Sequence, residues 1–191
     1  MLPGFPNALQ TFHVARRTVP AYAKFLSQHA FRTANVRSVA TFATIPLTDK
    51  KNYIHAFPLL SRCPRATLPP ILYASSGSSG VPTYWHSDAH AIHRAGFTHE
   101  RMLLNWQINK KERTLVVVCF SMGVWIAGQH TRDAFLEAAA HGYRLTVIAP
   151  GYAKEDILTI LSRVAPSYDN LILAGHPPFI MDVVQIGRAH V

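Results

Sequence analysis

Thr114-Leu115-Val116-Val117-Val118-Cys119-Phe120 decides the fold. The run is rich in β-branched residues and carries no charge, which marks a strand buried on both faces inside a parallel sheet. Working outward, Met122 to His141 has helical spacing, with Gly142 as its stop. Leu145-Thr146-Val147-Ile148 is the next strand, ended by Pro150, and Lys154 to Val164 is another helix. Leu171-Ile172-Leu173-Ala174 is a further strand, and Pro177 and Pro178 open the last helix, where their missing N–H groups cost nothing. This alternation predicts an α/β fold with right-handed crossovers and a mainly parallel sheet flanked by helices.

Upstream, Ile71-Leu72-Tyr73-Ala74 and Pro82-Thr83-Tyr84-Trp85 read as short strands, and residues 87–108 as a long helix. Residues 1–68 form a helical lead-in. Apolar positions recur at helical spacing from 8 to 30, interrupted at Pro20, and Pro46–Lys51 is a helix start with Thr48 as N-cap. Pro58, Pro64, Pro69 and Pro70 make residues 57–70 a loop. The α/β unit covers 69–185. Ile186-Gly187-Arg188-Ala189-His190-Val191 matches one reading frame of a common sequencing adapter, so 186–191 is expected to be a non-native tail on an incomplete fragment.

Bulk properties exclude several classes. With 191 residues, 49% of them apolar, the chain can build a core, and no apolar run approaches the ~20 residues of a membrane-spanning helix. The net charge of +9 is scattered rather than clustered, which argues against a nucleic-acid face and suits an anionic small molecule. Cys63 and Cys119 fit neither a disulfide framework nor a zinc spacing, so a reducing, cytoplasmic setting is expected. The stretch before Asp49 has no acidic residue, as in an organelle transit peptide, but Pro3, Pro6 and Pro20 break any long amphipathic helix.

The segment that carries chemistry is Ser75-Ser76-Gly77-Ser78-Ser79-Gly80-Val81-Pro82-Thr83. Its glycines permit unusual backbone angles and close approach to a ligand, and its hydroxyls and N–H groups suit phosphate oxygens. It lacks the lysine of a Walker loop and the spacing of a nucleophile elbow. A solvated Ser/Gly linker is the bland alternative.

These nine residues resemble the phosphate-binding signature of adenylate-forming ligases, Ser-Ser/Gly-Thr-Thr-Gly-x-Pro, and Thr83 after the proline is similar to the phenylacetate–CoA ligase-like subgroup. Ser78 and Ser79 stand where threonines are usual and keep the hydroxyl. Thr18-Val19-Pro20-Ala21-Tyr22, Ile45–Lys50, Phe120-Ser121-Met122-Gly123 and Leu171–Pro178 resemble further segments of these enzymes. The resemblance implies the large N-terminal domain of such a ligase. It also implies ATP-dependent activation of a carboxylic acid as an acyl-adenylate, with magnesium on the phosphates and transfer to a thiol such as coenzyme A. Ser75, Ser76, Gly77, Ser78, Ser79, Gly80, Pro82 and Thr83 would bind the ATP phosphates. The family's adenine motif, ribose-binding acid and catalytic lysine have no candidate here, so no catalytic residue is assigned and the fragment is expected to be inactive alone. An acyl-protein synthetase and a non-catalytic α/β binding module are the alternatives.

Three other groups invite a role. His86, His90 and His93 would share a face if all lay on one helix, but no carboxylate or cysteine is clearly placed to complete a metal site, and none is expected. Trp85, Trp106 and Trp125 suit either core or an acyl pocket. Cys119 reads as an inert core thiol.

Overall fold

The computed structural model describes residues 4–76, 80 and 82–189. They form two compact units, 1–69 and 70–191.

In the first unit, α1 (Phe5–Thr18) and α2 (Pro20–Gln28) are separated by Val19 alone. Val19 sits at φ −106° and ψ 104°, because a residue before proline is pushed out of the helical region. The short α3 (Val39–Phe42) opens on a reciprocal Ser38–Thr41 capping box. Asp49, not Thr48, caps the turn that follows, Lys50–Ile54. Asp49 Oδ1 accepts from the Asn52 N–H at 2.6 Å, and Asn52 Oδ1 accepts from the Asp49 N–H at 2.7 Å. Counted from Thr48, the third residue on is Lys51, which cannot return a bond of this kind. Single turns at Leu60–Arg62 and Pro64–Ala66 punctuate the proline-rich loop. Phe12, Ala21, Phe25, Leu26, Val36 and Phe57 form this unit's core. Tyr53 meets Tyr22 and Phe25 edge-on, with ring centroids 6.3 and 5.7 Å apart.

The second unit runs β1 (Ile71–Ser75), β2 (Thr83–Ser87), α4 (Ala89–Asn105), β3 (Thr114–Cys119), α5 (Ile126–Ala140), β4 (Leu145–Ile148), α6 (Lys154–Arg163), β5 (Asn170–Gly175) and α7 (Pro177–Ala189). β4, β3 and β5 form a parallel sheet in that order, with Val117 opposite Ile148 on one side and Leu173 on the other. Every residue of β3 is buried. Its side chains alternate between two cores. Val116 and Val118 join Leu103 of α4 with Phe135 and Ala138 of α5. Leu115, Val117 and Cys119 join Ile157 and Ile160 of α6 and Val183 of α7. Full burial of each such aliphatic side chain stabilises the fold by about 1.5–3 kcal/mol relative to exposure.

β1 and β2 do not enter that sheet; they pair antiparallel with each other. Only residues 76–82 separate them, too few for the crossover that parallel pairing requires. α5 begins at Ile126 rather than Met122. Gly123 takes φ 76°, and the segment after it is drawn aside by a bridge in which the Ala74 N–H donates to the Val124 carbonyl at 2.7 Å. α7 runs on to Ala189, past the boundary expected at 185. No helix among the described residues is long and apolar enough to cross a membrane.

The starts of β3 and β5 are clamped at the surface. Asp169 accepts from the Arg113 backbone N–H and Nη2, each at 2.8 Å, and from Nε at 3.3 Å. Those bonds favour the carboxylate and hold the Asp169 pKa at about 2, below its ordinary 3.8. The folded pKa is depressed, so the clamp's contribution is complete above about 4 and is lost as pH falls through about 2. A carbon-13 titration of the Asp169 carboxyl is expected to show a midpoint near 2, moving up toward 3.8 in Arg113→Gln. An unchanged midpoint in that variant would remove the clamp from the account.

Candidate functional site

The Ser/Gly segment springs from the tip of the β1–β2 hairpin. Ser75 and Thr83 are the last cross-strand pair, so the two ends of the nine-residue loop are held side by side. Ser75 Oγ accepts a bond from Trp85 Nε1–H at 2.8 Å, which leaves the serine its own proton to donate outward. Thr83 is only 3% exposed, and its Oγ1 has no hydrogen-bond partner among the described residues. Ser76, Gly80 and Pro82 are exposed. Gly80 takes φ 78°, and a Cβ there would meet nothing within 4 Å among the described residues. Left-handed backbone, not lack of room, therefore calls for glycine. Gly77, Ser78 and Ser79 lie outside the described residues.

α5 fixes the hairpin in place. The Tyr73 hydroxyl donates to Asp133 Oδ2 at 3.2 Å, and its ring meets His130 edge-on at 5.9 Å. Burial first, and then the Asp133 carboxylate, push the Tyr73 pKa up to about 12, so the phenol stays a donor. With the Ala74–Trp125 bridge, these contacts set the base of the loop beside the start of α5. No side chain among the described residues caps that start, and the N–H groups of a helix's first turn carry partial positive charge.

This edge of the sheet is the carboxyl end of β3, the side on which open α/β sheets gather ligands. The Gly151 N–H donates to the Val118 carbonyl there at 3.2 Å. Gly175, at the end of β5, lies so close to β3 that an added Cβ would sit 3.0 Å from the Cys119 carbonyl oxygen. Cys119 is buried, and burial raises its thiol pKa to about 11, as an inert core cysteine requires.

The other candidates separate. His86 lies in β2, while His90 and His93 lie on α4, divided from it by Asp88, whose carboxylate caps that helix by accepting from the Ala91 N–H at 2.8 Å. The three histidines therefore do not share one helical face. His93 instead meets Glu137 and His141 of α5 and its C-cap, partners 44 and 48 residues away that helical spacing did not bring to notice. Trp85 serves the hairpin, Trp106 is half exposed at the end of α4, and Trp125 is the residue before α5.

No protein-family model and no curated protein matches this sequence. Solved structures do. 2-Hydroxyisobutyryl-CoA ligase in complex with 2-HIB-AMP and CoA, in its thioester-forming state, superposes with a TM-score of 0.70 at 17% identity over 95% of this chain. The fold is shared with a CoA ligase. An open conformation of the same enzyme gives 0.71 at 15% identity over 96% of this chain, and its postadenylation state with 2-HIB-AMP gives 0.70 at 16% over 95%. This chain spans 38%, 39% and 37% of those three chains. At such identities the likeness establishes the architecture alone, and it agrees with the α/β class read from the sequence.

Proposed function

We propose that this chain is the phosphate-binding part of an adenylate-forming acid–thiol ligase, with residues 75–83 clasping the ATP phosphates. In this reading the whole protein joins a carboxylate to the α-phosphorus of ATP, releases pyrophosphate, and passes the acyl group to a thiol such as coenzyme A. The shared fold with an enzyme crystallised with an acyl-adenylate and CoA supports it. So does the placing of the loop's base beside an uncapped helix start at the carboxyl edge of the sheet.

One observation carries the reading most directly. Thr83 ends the loop with a buried hydroxyl that has no partner among the described residues. Leaving such a group unpaired costs about 1–3 kcal/mol, a cost that a phosphate oxygen accepting its proton removes. The donor set suits the ligand: Ser75, Ser76, Ser78, Ser79 and Thr83 supply hydroxyls, while Gly77 and Gly80 let the backbone close in and Pro82 stiffens the exit. Magnesium, bound on the phosphates through oxygen, would offset their charge. The chain's own part is to orient the departing pyrophosphate and stabilise the charge that builds on it.

Calorimetric titration of the full chain with ATP and magnesium tests this. Weak binding is expected, reduced about tenfold, or 1.4 kcal/mol, by Ser78→Ala combined with Ser79→Ala. Thr83→Val is expected to do two opposite things. It stabilises the free chain by about 1 kcal/mol, because it removes a buried hydroxyl that has no partner among the described residues, and it weakens ATP binding. Binding left unchanged by both variants would refute the assignment.

A further inference from the structure

We propose a second site, on the far end of α5, that binds a first-row divalent cation, zinc foremost, through His93 Nδ1, Glu137 and His141 Nε2. The ligating atoms lie within 4.8 Å of one another. His93 Nδ1 stands 2.6 Å from Glu137 Oε1, and His141 Nε2 stands 3.3 Å from the same oxygen. Tetrahedral zinc with bonds of about 2.0–2.1 Å sets its ligands about 3.3 Å apart, so the second spacing fits and the first opens by under an ångström.

The hydrogen bonding around the cluster favours a metal. His141 Nδ1 is bonded to Glu100 Oε1, so in the neutral ring the proton sits on Nδ1 and a lone pair remains on Nε2. That lone pair faces the Glu137 carboxylate. Two electron-rich atoms aimed at each other call for a proton or a metal ion between them, and a bound metal takes the place of that proton. A carboxylate behind a ligating imidazole is also the usual arrangement for fixing its tautomer and raising its basicity at a metal. Glu100 and His141 are both largely withdrawn from solvent, with side-chain exposures of 16% and 19%. Phe97 closes one side, its ring 4.8 Å from both His93 and His141. His93 is half exposed, so a fourth position on the metal is left to water. Imidazole nitrogens with one carboxylate suit zinc and its neighbours and do not suit magnesium or calcium.

The backbone is arranged for the contact. Gly96 lies against Glu137, and an added Cβ would fall 2.5 Å from its Cγ, so α4 and α5 approach closely here because position 96 has no side chain. α5 runs from Ile126 to Ala140, placing Glu137 and His141 about 17–22 Å along its axis from the helix start beside the Ser/Gly loop. At that distance the metal has no part in phosphate chemistry; it staples α4 to the C-terminal end of α5.

Titrating zinc into the chelator-treated full chain, in competition with a chromophoric indicator, decides the matter. One tight equivalent is expected, with X-ray absorption showing two imidazole nitrogens at about 2.0–2.1 Å. His93→Ala and His141→Ala should each weaken it about tenfold, and Glu100→Gln about as much by freeing the His141 ring. His55→Ala, on an exposed position of the other unit, should change nothing. Zinc at about 100 times its Kd should raise Tm by about 5–10 °C, and magnesium should not. That thermal readout keeps the test decisive if a variant binds poorly because it is less stable. Zinc held no more tightly by the parent than by His93→Ala with His141→Ala, or nitrogen NMR showing His141 protonated on both nitrogens and indifferent to zinc, overturns the site.

Discussion

Phe135→Ala is expected to destabilise the 70–191 unit by about 3–5 kcal/mol, enough to consume much of a domain's ordinary margin of 5–15. Phe135 is 1% exposed. It projects from α5 into the core shared with Val116, Val118, Leu103 and Ile172, and it also meets the His99 ring edge-on at 4.6 Å. Truncation loses the transfer energy of the ring and leaves a void that the sheet cannot close, because Val116 is paired with both β4 and β5 and Val118 with β5. Tm should fall by roughly 10 °C or more. Leu136, the next residue, is 41% exposed, and Leu136→Ala should stay within about 0.5 kcal/mol. Urea unfolding of the two variants, with m held constant, gives the comparison. Equal midpoints would mean that α5 does not present this face to the sheet.

The difference between these neighbours also shows what the sequence made legible. β3 was readable because a strand covered on both faces is apolar from Leu115 to Cys119, with only Thr114 at its start polar. Pro20 and Gly142 were readable because their effects on the backbone are local. The start of α5 was not. Helical spacing extends back to Met122, but the bond from Ala74 to Val124 comes from 50 residues away and leaves no mark on local periodicity. Thr48 lost the cap to Asp49 because the decisive partner, Asn52, belongs to the geometry of a reciprocal pair rather than to rank in a propensity list.

The candidate sites divide in the same way. The residue types of the Ser/Gly loop, and the two strands that hold its ends, could be read in advance from a Ser/Gly run between two β-rich segments. That Thr83 would be buried, its hydroxyl without a partner among the described residues, could not, since burial is set by tertiary packing that leaves no mark on local spacing. The α4–α5 cluster was the harder case. Spacing directed attention to His86 and His90, whereas the partners of His93 are set by helix–helix packing that begins with the missing side chain at Gly96.

Gly128→Ala should destabilise the same unit by about 2 kcal/mol, although helix propensity alone predicts a gain of about 1 kcal/mol from removing glycine inside a helix. Packing decides the sign. A Cβ on Gly128 would lie 2.3 Å from the Ser121 carbonyl oxygen, 2.6 Å from Met122 Sδ and 3.0 Å from the Ser121 carbonyl carbon. The sulfur can move; the carbonyl belongs to the backbone that leaves β3 and cannot retreat without shifting the Ser121–Trp125 segment. Overpacking of this kind costs about 1–3 kcal/mol and sometimes more, and here backbone meets backbone, so the upper end applies before the propensity gain is subtracted. The displaced segment carries the Val124 carbonyl that accepts from Ala74, and the loss should therefore appear in amide exchange, with Ala74 protection falling more than that of β3. Gly123→Ala is the companion variant. It meets no atom within 4 Å but sits at φ 76°, so its cost of about 1 kcal/mol is conformational and leaves the Gly128 contact in place. If Gly128→Ala proves stabilising while Gly123→Ala does not, the segment does not lie against α5. The anchoring of the loop's base to that helix would then rest on the contacts of Tyr73 with Asp133 and His130.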